Sequence, residues 1–388
     1  MDNAIQEKLI TSEAEELGDF KERISRIKEN MEDCLARTLD LQIGMSSATE
    51  TLCGQAFGAK QYHMMGIVLQ RSWLVNLITL TILLPVLTFA TPIFKLLGEE
   101  ESIAKSAGIS GAMGALCISS WFLVVGEFVY IVGGWCPDTW KGFNTAALKD
   151  MLPVVKLSIS SGVMVCLELW YYAILVLLAG YMKNAKVSIS AFSICLNITA
   201  WGLMVSFGIM GAACVRVANE LGRGDTKAVK FSTKVLMSTS VLIGLFFWIL
   251  CLVFGNKIGY LFTDDEEVAQ SVADLSIILA FSVLLGSVFP VLSGIAVGAG
   301  LQTTVAIINV VCFYIIGIPI GALLGYLTHL QVKGIWIGMM CGVATQTIAL
   351  TFMAWRTNWD EEVSKTSARL KKWYLKSPDE SYQNSDHA

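Results

Sequence analysis

The residue of this chain best suited to chemistry is Glu168, which stands in the run Leu167-Glu168-Leu169-Trp170-Tyr171-Tyr172, deep inside a long apolar segment. An acidic side chain at mid-membrane depth costs at least about 2.5 kcal/mol unless it is paired, protonated or turned toward water. Such a group can bind and release a proton, or exchange it for a small cation, as a cavity opens alternately to each side. The plain structural alternative is a protonated glutamate that holds a neighbouring helix by one hydrogen bond. Glu127 is a second intramembrane acid, but it lies nearer the end of its apolar run, where its side chain can snorkel to the interface. Trp170, Tyr171, Tyr172, Asn197, Trp201, Asn309 and Tyr314 are the polar and aromatic groups able to line a cavity, and each serves helix packing or interfacial anchoring equally well.

Other chemistries lack their residues. The ten cysteines are scattered through apolar runs without a Cys-x-x-Cys pair, and His63, His329 and His387 fall in loops or at the tail, so neither a disulfide framework nor a metal site is expected. The chain has no His-Glu-x-x-His, no Gly-x-Ser-x-Gly and no Walker-type phosphate loop. An enzyme is therefore not expected, and neither is a cofactor. Asn197-Ile198-Thr199 matches a glycosylation pattern but lies within an apolar span, out of reach of the modifying enzyme.

The elements that must position Glu168 are membrane helices. Of 388 residues, 54% are hydrophobic and only 15% charged, against about a quarter charged in a soluble domain. Apolar runs at 72–97, 109–134, 153–180, 187–215, 235–254, 272–297, 304–326 and 334–355 are each long enough to cross about 30 Å of hydrocarbon as helix. A ninth stretch, 43–59, is short, carries Glu50 and Gln55, and reads as a stub. The fold class is thus an all-α membrane protein. Arg216, Arg223, Lys227, Lys230 and Lys234 follow one span, and Arg356, Lys365, Arg369, Lys371, Lys372 and Lys376 follow the last, which places both groups on the cytoplasmic side. The acidic loops Glu99–Glu101 and Asp264–Glu267 face the other way, and one orientation satisfies both basic clusters. The net charge of −4 and this distribution give no reason to expect a nucleic-acid partner. The first 42 residues form a polar tail without a secretory leader, and Ile24, Ile27, Met31, Leu35 and Leu39 recur within it at helical steps. The last 30 residues read as a soluble tail, helical near Glu361–Trp373.

Proline and glycine interrupt several spans. Pro153, Pro290 and Pro319 each remove a backbone donor, while Gly286, Gly294, Gly298 and Gly300 give one helix a small-residue edge, open to bending or to close packing.

The chain also contains itself twice. Leu96, Glu99, Glu100, Glu101, Ile103, Ala104 and Ser106 reappear as Leu261, Asp264, Asp265, Glu266, Val268, Ala269 and Ser271, and Gln55-Ala56-Phe57-Gly58 as Asn219-Glu220-Leu221-Gly222, both at an offset near 165. Downstream, Gly111 matches Gly334 instead. The first copy has therefore lost roughly 58 residues near Lys105 to Ile109, about two crossings with their loops. The expected organisation is a polar tail over 1–42, an incomplete first lobe over 43–136, a cytoplasmic linker over 137–150, a complete second lobe over 151–358 and a cytoplasmic tail over 359–388.

On the segments 44–59, Cys136-Pro137-Asp138-Thr139-Trp140-Lys141-Gly142-Phe143, Leu167-Glu168-Leu169-Trp170-Tyr171, Arg216-Val217-Ala218-Asn219-Glu220-Leu221-Gly222 and Pro290-Val291-Leu292-Ser293-Gly294, the chain resembles the plant DETOXIFICATION branch of the multidrug and toxic compound extrusion (MATE) family. The resemblance implies two six-helix lobes around a central cavity, with the second lobe complete here and the first reduced to two full spans and a stub. It implies proton-coupled antiport that exports xenobiotics or secondary metabolites such as flavonoids from the cytosol, at the vacuolar membrane in preference to the plasma membrane. Glu168 matches the family's seventh-helix glutamate assigned to proton coupling. Three positions depart from the pattern: Gly286 stands where an acid or amide is common, Tyr172 where an Asn often follows, and Leu301 where a Trp usually precedes Gln302. The expected partners are the lipid bilayer, a small organic substrate and protons. A truncated, impaired isoform, a membrane protein that associates with a full-length relative without transporting, and a passive anion pathway are the alternatives.

Overall fold

The computed structural model describes residues 46–88, 122, 124–149, 151–180, 185–328 and 330–374. The helical pattern of Ile24 to Leu39 in the N-terminal tail, the site of the expected loss near Lys105 to Ile109, and most of the 109–134 span lie outside the described residues. Every regular element among those described is helical. Helix α1 covers residues 46–58, α2 Tyr62–Thr88 and α3 Val124–Trp135. Six further apolar helices are long enough to cross a bilayer: α4 (Met151–Gly180), α5 (Ala185–Arg223), α6 (Thr226–Ile258), α7 (Glu266–Gly298), α8 (Gln302–Leu327) and α9 (Val332–Arg356). An amphipathic helix, α10 (Trp359–Tyr374), follows them.

The described residues fall into two compact units, one made of 75–88 and 122–136, the other of 46–74 and 137–374. In the smaller unit α3 ends in a π-helical turn over Ile131–Trp135, closed by Gly134 at φ +91, and Tyr130 stacks on Trp135 with centroids 5.8 Å apart. Glu127 lies on an exposed face of this helix.

In the larger unit the helices outrun the apolar segments that announce them. The run 187–215 stops at Arg216, yet α5 continues to Arg223, because Glu220 accepts ion pairs from Arg216 at 2.8 Å and from Arg223 at 3.5 Å along its last turns. Asp225 caps α6 by accepting from the Ala228 amide, and Asp265 caps α7 by accepting from the Glu267 and Val268 amides, so both helices start in polar sequence. Helix α7 is the axis of the unit, buried through most of its length, whereas α6 is peripheral. Helices α5 and α7 run parallel and touch: a side chain at Gly294 would meet the Met210 carbonyl at 2.4 Å, and one at Gly298 the Cys214 carbonyl at 2.5 Å. The small-residue edge of α7 is thus used for close packing, and α7 passes through Pro290 as one continuous helix.

Helix α8 responds to its proline differently. Pro319 offers no amide to Ile315 and crowds that carbonyl, and the preceding stretch Val310–Gly317 is wound as π-helix, with the Ile318 amide donating to the Phe313 carbonyl five residues back.

At the end bearing the basic clusters, the two copies of the internal repeat meet. A Cβ on Gly58 would lie 2.0 Å from the Asn219 carbonyl oxygen and one on Gly222 would lie 2.1 Å from that of Gln55, so α1 and α5 cross with each glycine seated on the residue that opens the other's repeat. Around this crossing Thr51 donates to the Val297 carbonyl at 2.9 Å, and Gln55 donates to that of Gly298 while accepting from Arg369 of α10 at 3.3 Å. Burial pulls the Arg369 guanidinium down from its ordinary pKa, an effect Glu362 opposes. Helix α10 buries Trp359 among the ends of α5, α6 and α7, and Leu370 among residues of α1, α2 and α4.

Candidate functional site

Helix α4 presents Met164, Glu168, Tyr171 and Leu175 at spacings of four, three and four, which puts them along one stripe. Met164 is buried in an apolar cluster with Val305, Ala306 and Leu350 of α8 and α9. Tyr171 and Leu175 are buried in a second cluster with Phe313 of α8 and Trp336 and Met339 of α9. Glu168 lies on the stripe between the two clusters, half-buried. Among the described residues its carboxylate has neither an ion pair nor a hydrogen-bond partner.

Polar side chains from α8 and α9 collect at the same level. The Asn309 amide, fully buried, donates to the Met164 carbonyl at 3.4 Å, and the Tyr314 hydroxyl donates to the Leu167 carbonyl at 2.9 Å. Gln346 of α9, also fully buried, donates to the Asn309 side-chain oxygen at 2.8 Å. Toward the ends of the helix pair, Thr303 bonds Ser160 at 3.0 Å and Tyr326 donates to the Leu178 carbonyl at 2.7 Å. Helices α4 and α8 therefore run parallel, joined by hydrogen bonds that bracket Glu168.

The two neighbouring tyrosines have different surroundings because successive helical residues diverge by about 100°. Tyr171 is fully buried, stacks on Phe313 at 4.3 Å and donates to the Met339 carbonyl at 3.1 Å, so it belongs to the packed core. Tyr172 lines a small cavity with Thr199, Ser282, Gly286, Phe289 and Met339, with room for about one water. Trp336 donates to Ser282 at 2.7 Å and fixes that wall. Two of the positions that depart from the family pattern, Tyr172 and Gly286, thus share this cavity.

The remaining candidates stand elsewhere. Trp170 is half-buried and, two residues from Glu168, lies about 200° round α4 from it. Asn197 is exposed, its amide donating to the Ser193 carbonyl at 2.9 Å, and Trp201, one turn on, is 58% exposed and packs on Phe262 at 5.5 Å. The structure thus gathers Glu168, Asn309 and Tyr314 at one level, sets Tyr172 at the cavity and leaves Asn197 and Trp201 on the outer face of α5. Gln346 joins the group without having been singled out in the sequence, although an amide in the middle of an apolar span is a signal of the same kind as Glu168.

Comparison with known proteins bears on this geometry. The family model described as MatE matches residues 38–129 and 161–323. Protein DETOXIFICATION 24 of Arabidopsis thaliana is 48% identical over 394 aligned positions that take in 87% of this chain and 79% of the relative. Protein DETOXIFICATION 25 of the same plant is 46% identical over 395 positions, covering 87% and 80%. Among solved structures, the crystal structure of the eukaryotic MATE transporter AtDTX14 superposes with a TM-score of 0.75 at 26% identity, over 87% of this chain and 88% of that one. A crystal structure of a MATE protein in the bent conformation, 16% identical, shares the fold with a TM-score of 0.67.

Proposed function

We propose, from the premise that this chain belongs to the MatE family of membrane transporters, that it moves small organic compounds out of the cytosol in exchange for protons and that Glu168 binds the coupling proton. The observation that carries this reading is the position of Glu168, a carboxylate half-buried between two apolar clusters without an ion pair among the described residues. A permanent charge there is costly, so a site whose charge comes and goes with a proton is the economical use of it. Tyr172 and the cavity beside it stand one turn further along α4 and offer an aromatic and polar wall to a substrate. The plant relatives carry the word detoxification in their names, which supports xenobiotics or secondary metabolites as cargo, and the vacuolar membrane is the favoured location.

The alignments also support an internal loss. The 394 positions shared with Protein DETOXIFICATION 24 hold about 338 residues of this chain, so about 56 positions of the alignment face no residue here. That is close to the roughly 58 residues missing between the two copies of the repeat, and it amounts to about two crossings. On this reading the chain is an isoform with an incomplete first lobe. Alternating access needs two bundles that rock about a site between them, so the loss favours a second reading, in which the chain associates with a full-length relative and modulates it.

Flux measurements separate the two. The purified chain in proteoliposomes, given a fluorescent organic cation and a pH gradient, is expected to accumulate it and to release it when a protonophore collapses the gradient. No gradient-dependent accumulation, together with co-purification of a full-length relative from plant membranes, contradicts transport and supports the partner reading.

A further inference from the structure

Among the described residues, the polar layer at the level of Glu168 holds a fully buried acceptor that its surroundings leave unsatisfied. Gln346 is fully buried and its amide nitrogen is bonded to Asn309, but among the described residues its side-chain oxygen has no hydrogen-bond partner. A buried acceptor without a donor costs about 1–3 kcal/mol, so native structures keep such atoms where a water, a ligand or a second state of the protein supplies the donor. The chain of contacts leads to one: Gln346 holds Asn309, Asn309 holds the Met164 carbonyl, and Met164 is one turn before Glu168 on the same stripe. Helical side chains lean toward the preceding turn, so Glu168 extends over the turn that Asn309 grips.

The winding of α8 makes this grip possible. At 3.6 residues per turn, residues five apart diverge by about 140°, so a regular helix could not send both Asn309 and Tyr314 to α4. The i→i+5 ladder over Val310–Gly317 brings them close to one face, and they reach the Met164 and Leu167 carbonyls, three residues apart on α4. A π-helical stretch of this kind is often found at a functional site.

We propose that Gln346 and Asn309 are positioning residues for Glu168, with the Gln346 side-chain oxygen accepting the O–H of the protonated carboxyl and the π-helical stretch of α8 holding Asn309 and Tyr314 against the turn that precedes it. This inference rests on the proton-binding role given to Glu168 above. When the proton leaves, Gln346 loses its donor and faces a carboxylate instead, so the layer favours the protonated state. The titratable groups on the elements packed against Glu168 are Cys166, Tyr171 and Tyr172 on α4, Cys195 and Cys214 on α5, Cys312, Tyr314 and Tyr326 on α8, and Cys341 on α9. The charged ones, Lys156 on α4, Lys186, Arg216, Glu220 and Arg223 on α5, and Lys333 and Arg356 on α9, stand about three turns or more away along their helices or at the helix ends.

Dicyclohexylcarbodiimide, which modifies protonated carboxyls in apolar surroundings, tests the proposal on the full chain in lipid vesicles, with Glu168→Gln as background. The readout is the ratio of Glu168 labelling at pH 7.5 to that at pH 5.5. Gln346→Met, which removes the acceptor at similar volume, is expected to lower this ratio at least about threefold. Gln346→Asn keeps an amide but withdraws it by one methylene, and is expected to lower the ratio about twofold where Gln346→Met does not fold. Gln302→Met is the control, because Gln302 is equally buried with an equally unsatisfied oxygen but bonds Thr51 and the Val297 carbonyl instead of the Glu168 layer. An unchanged ratio in folded Gln346 variants overturns the proposal and leaves that oxygen to a structural water, and so does an equal fall in Gln302→Met. The assay does not depend on transport, so transport that survives Glu168→Gln removes the coupling role while the ratio still reports whether Gln346 positions the carboxyl.

Discussion

At the residue scale, what matters is whether a polar group's partner is left satisfied when the group is removed. Trp336→Phe breaks the 2.7 Å bond to Ser282, but Ser282 keeps its bond to the Ile278 carbonyl, so the cost is expected to be about 1 kcal/mol. Asn309→Leu strips Gln346 of its one hydrogen-bond partner among the described residues and is expected to cost about 2–3 kcal/mol or more. Thermal denaturation of the two variants in detergent checks the order, and equal midpoints contradict it. Glu168 stands out as a candidate in the sequence because a carboxylate in an apolar run has few uses. The roles of the amides and aromatics were not, since pattern alone cannot say which face of a helix meets protein. Tyr171 and Tyr172 are adjacent in sequence, yet one stacks in the core and the other lines a cavity. Asn197 and Trp201 share a helical face that turns out to be exposed. Gln346 carried a signal but no partner in the sequence to give it meaning.

At the scale of elements, apolar length located the six spanning helices of the larger unit but not their ends, because caps and ion pairs extend helices into polar sequence. The α10 helix, expected near Glu361–Trp373, runs from Trp359 to Tyr374. Proline marked a disturbance in α8, but a missing donor and a crowded carbonyl are common to a kinked and a widened helix, so the sequence did not say which would form. The repeat Gln55-Ala56-Phe57-Gly58 and Asn219-Glu220-Leu221-Gly222 was visible as similarity, and the fold shows its physical content as a crossing too close for any side chain. Gly58→Val and Gly222→Val are each expected to force α1 and α5 apart at a cost of about 1–3 kcal/mol, and the loss should show as faster proteolysis near residue 60. Wild-type resistance in both variants contradicts the crossing.

At the scale of the whole molecule, the chain is a member of the MatE family whose larger unit holds six helices long enough to span a membrane, and its alignment with Protein DETOXIFICATION 24 is about 56 positions longer than the residues it contributes, which we read as a loss from the first half. This proposed loss can be read from the sequence only because the second copy of the repeat offers a template for the first. A chimera that supplies those positions from Protein DETOXIFICATION 24 is expected to raise the rate of gradient-driven uptake several-fold, since it restores two crossings to the bundle that must rock. An unchanged rate places the limit elsewhere. The central claim is that the carboxyl of Glu168 exchanges a proton for cargo. Its most direct measurement follows internal pH with a trapped dye while substrate is added to proteoliposomes that hold either the wild-type chain or Glu168→Gln. Substrate-dependent proton movement is expected with the wild type and none with Glu168→Gln, and equal proton movement in the two preparations rules out coupling through this carboxyl.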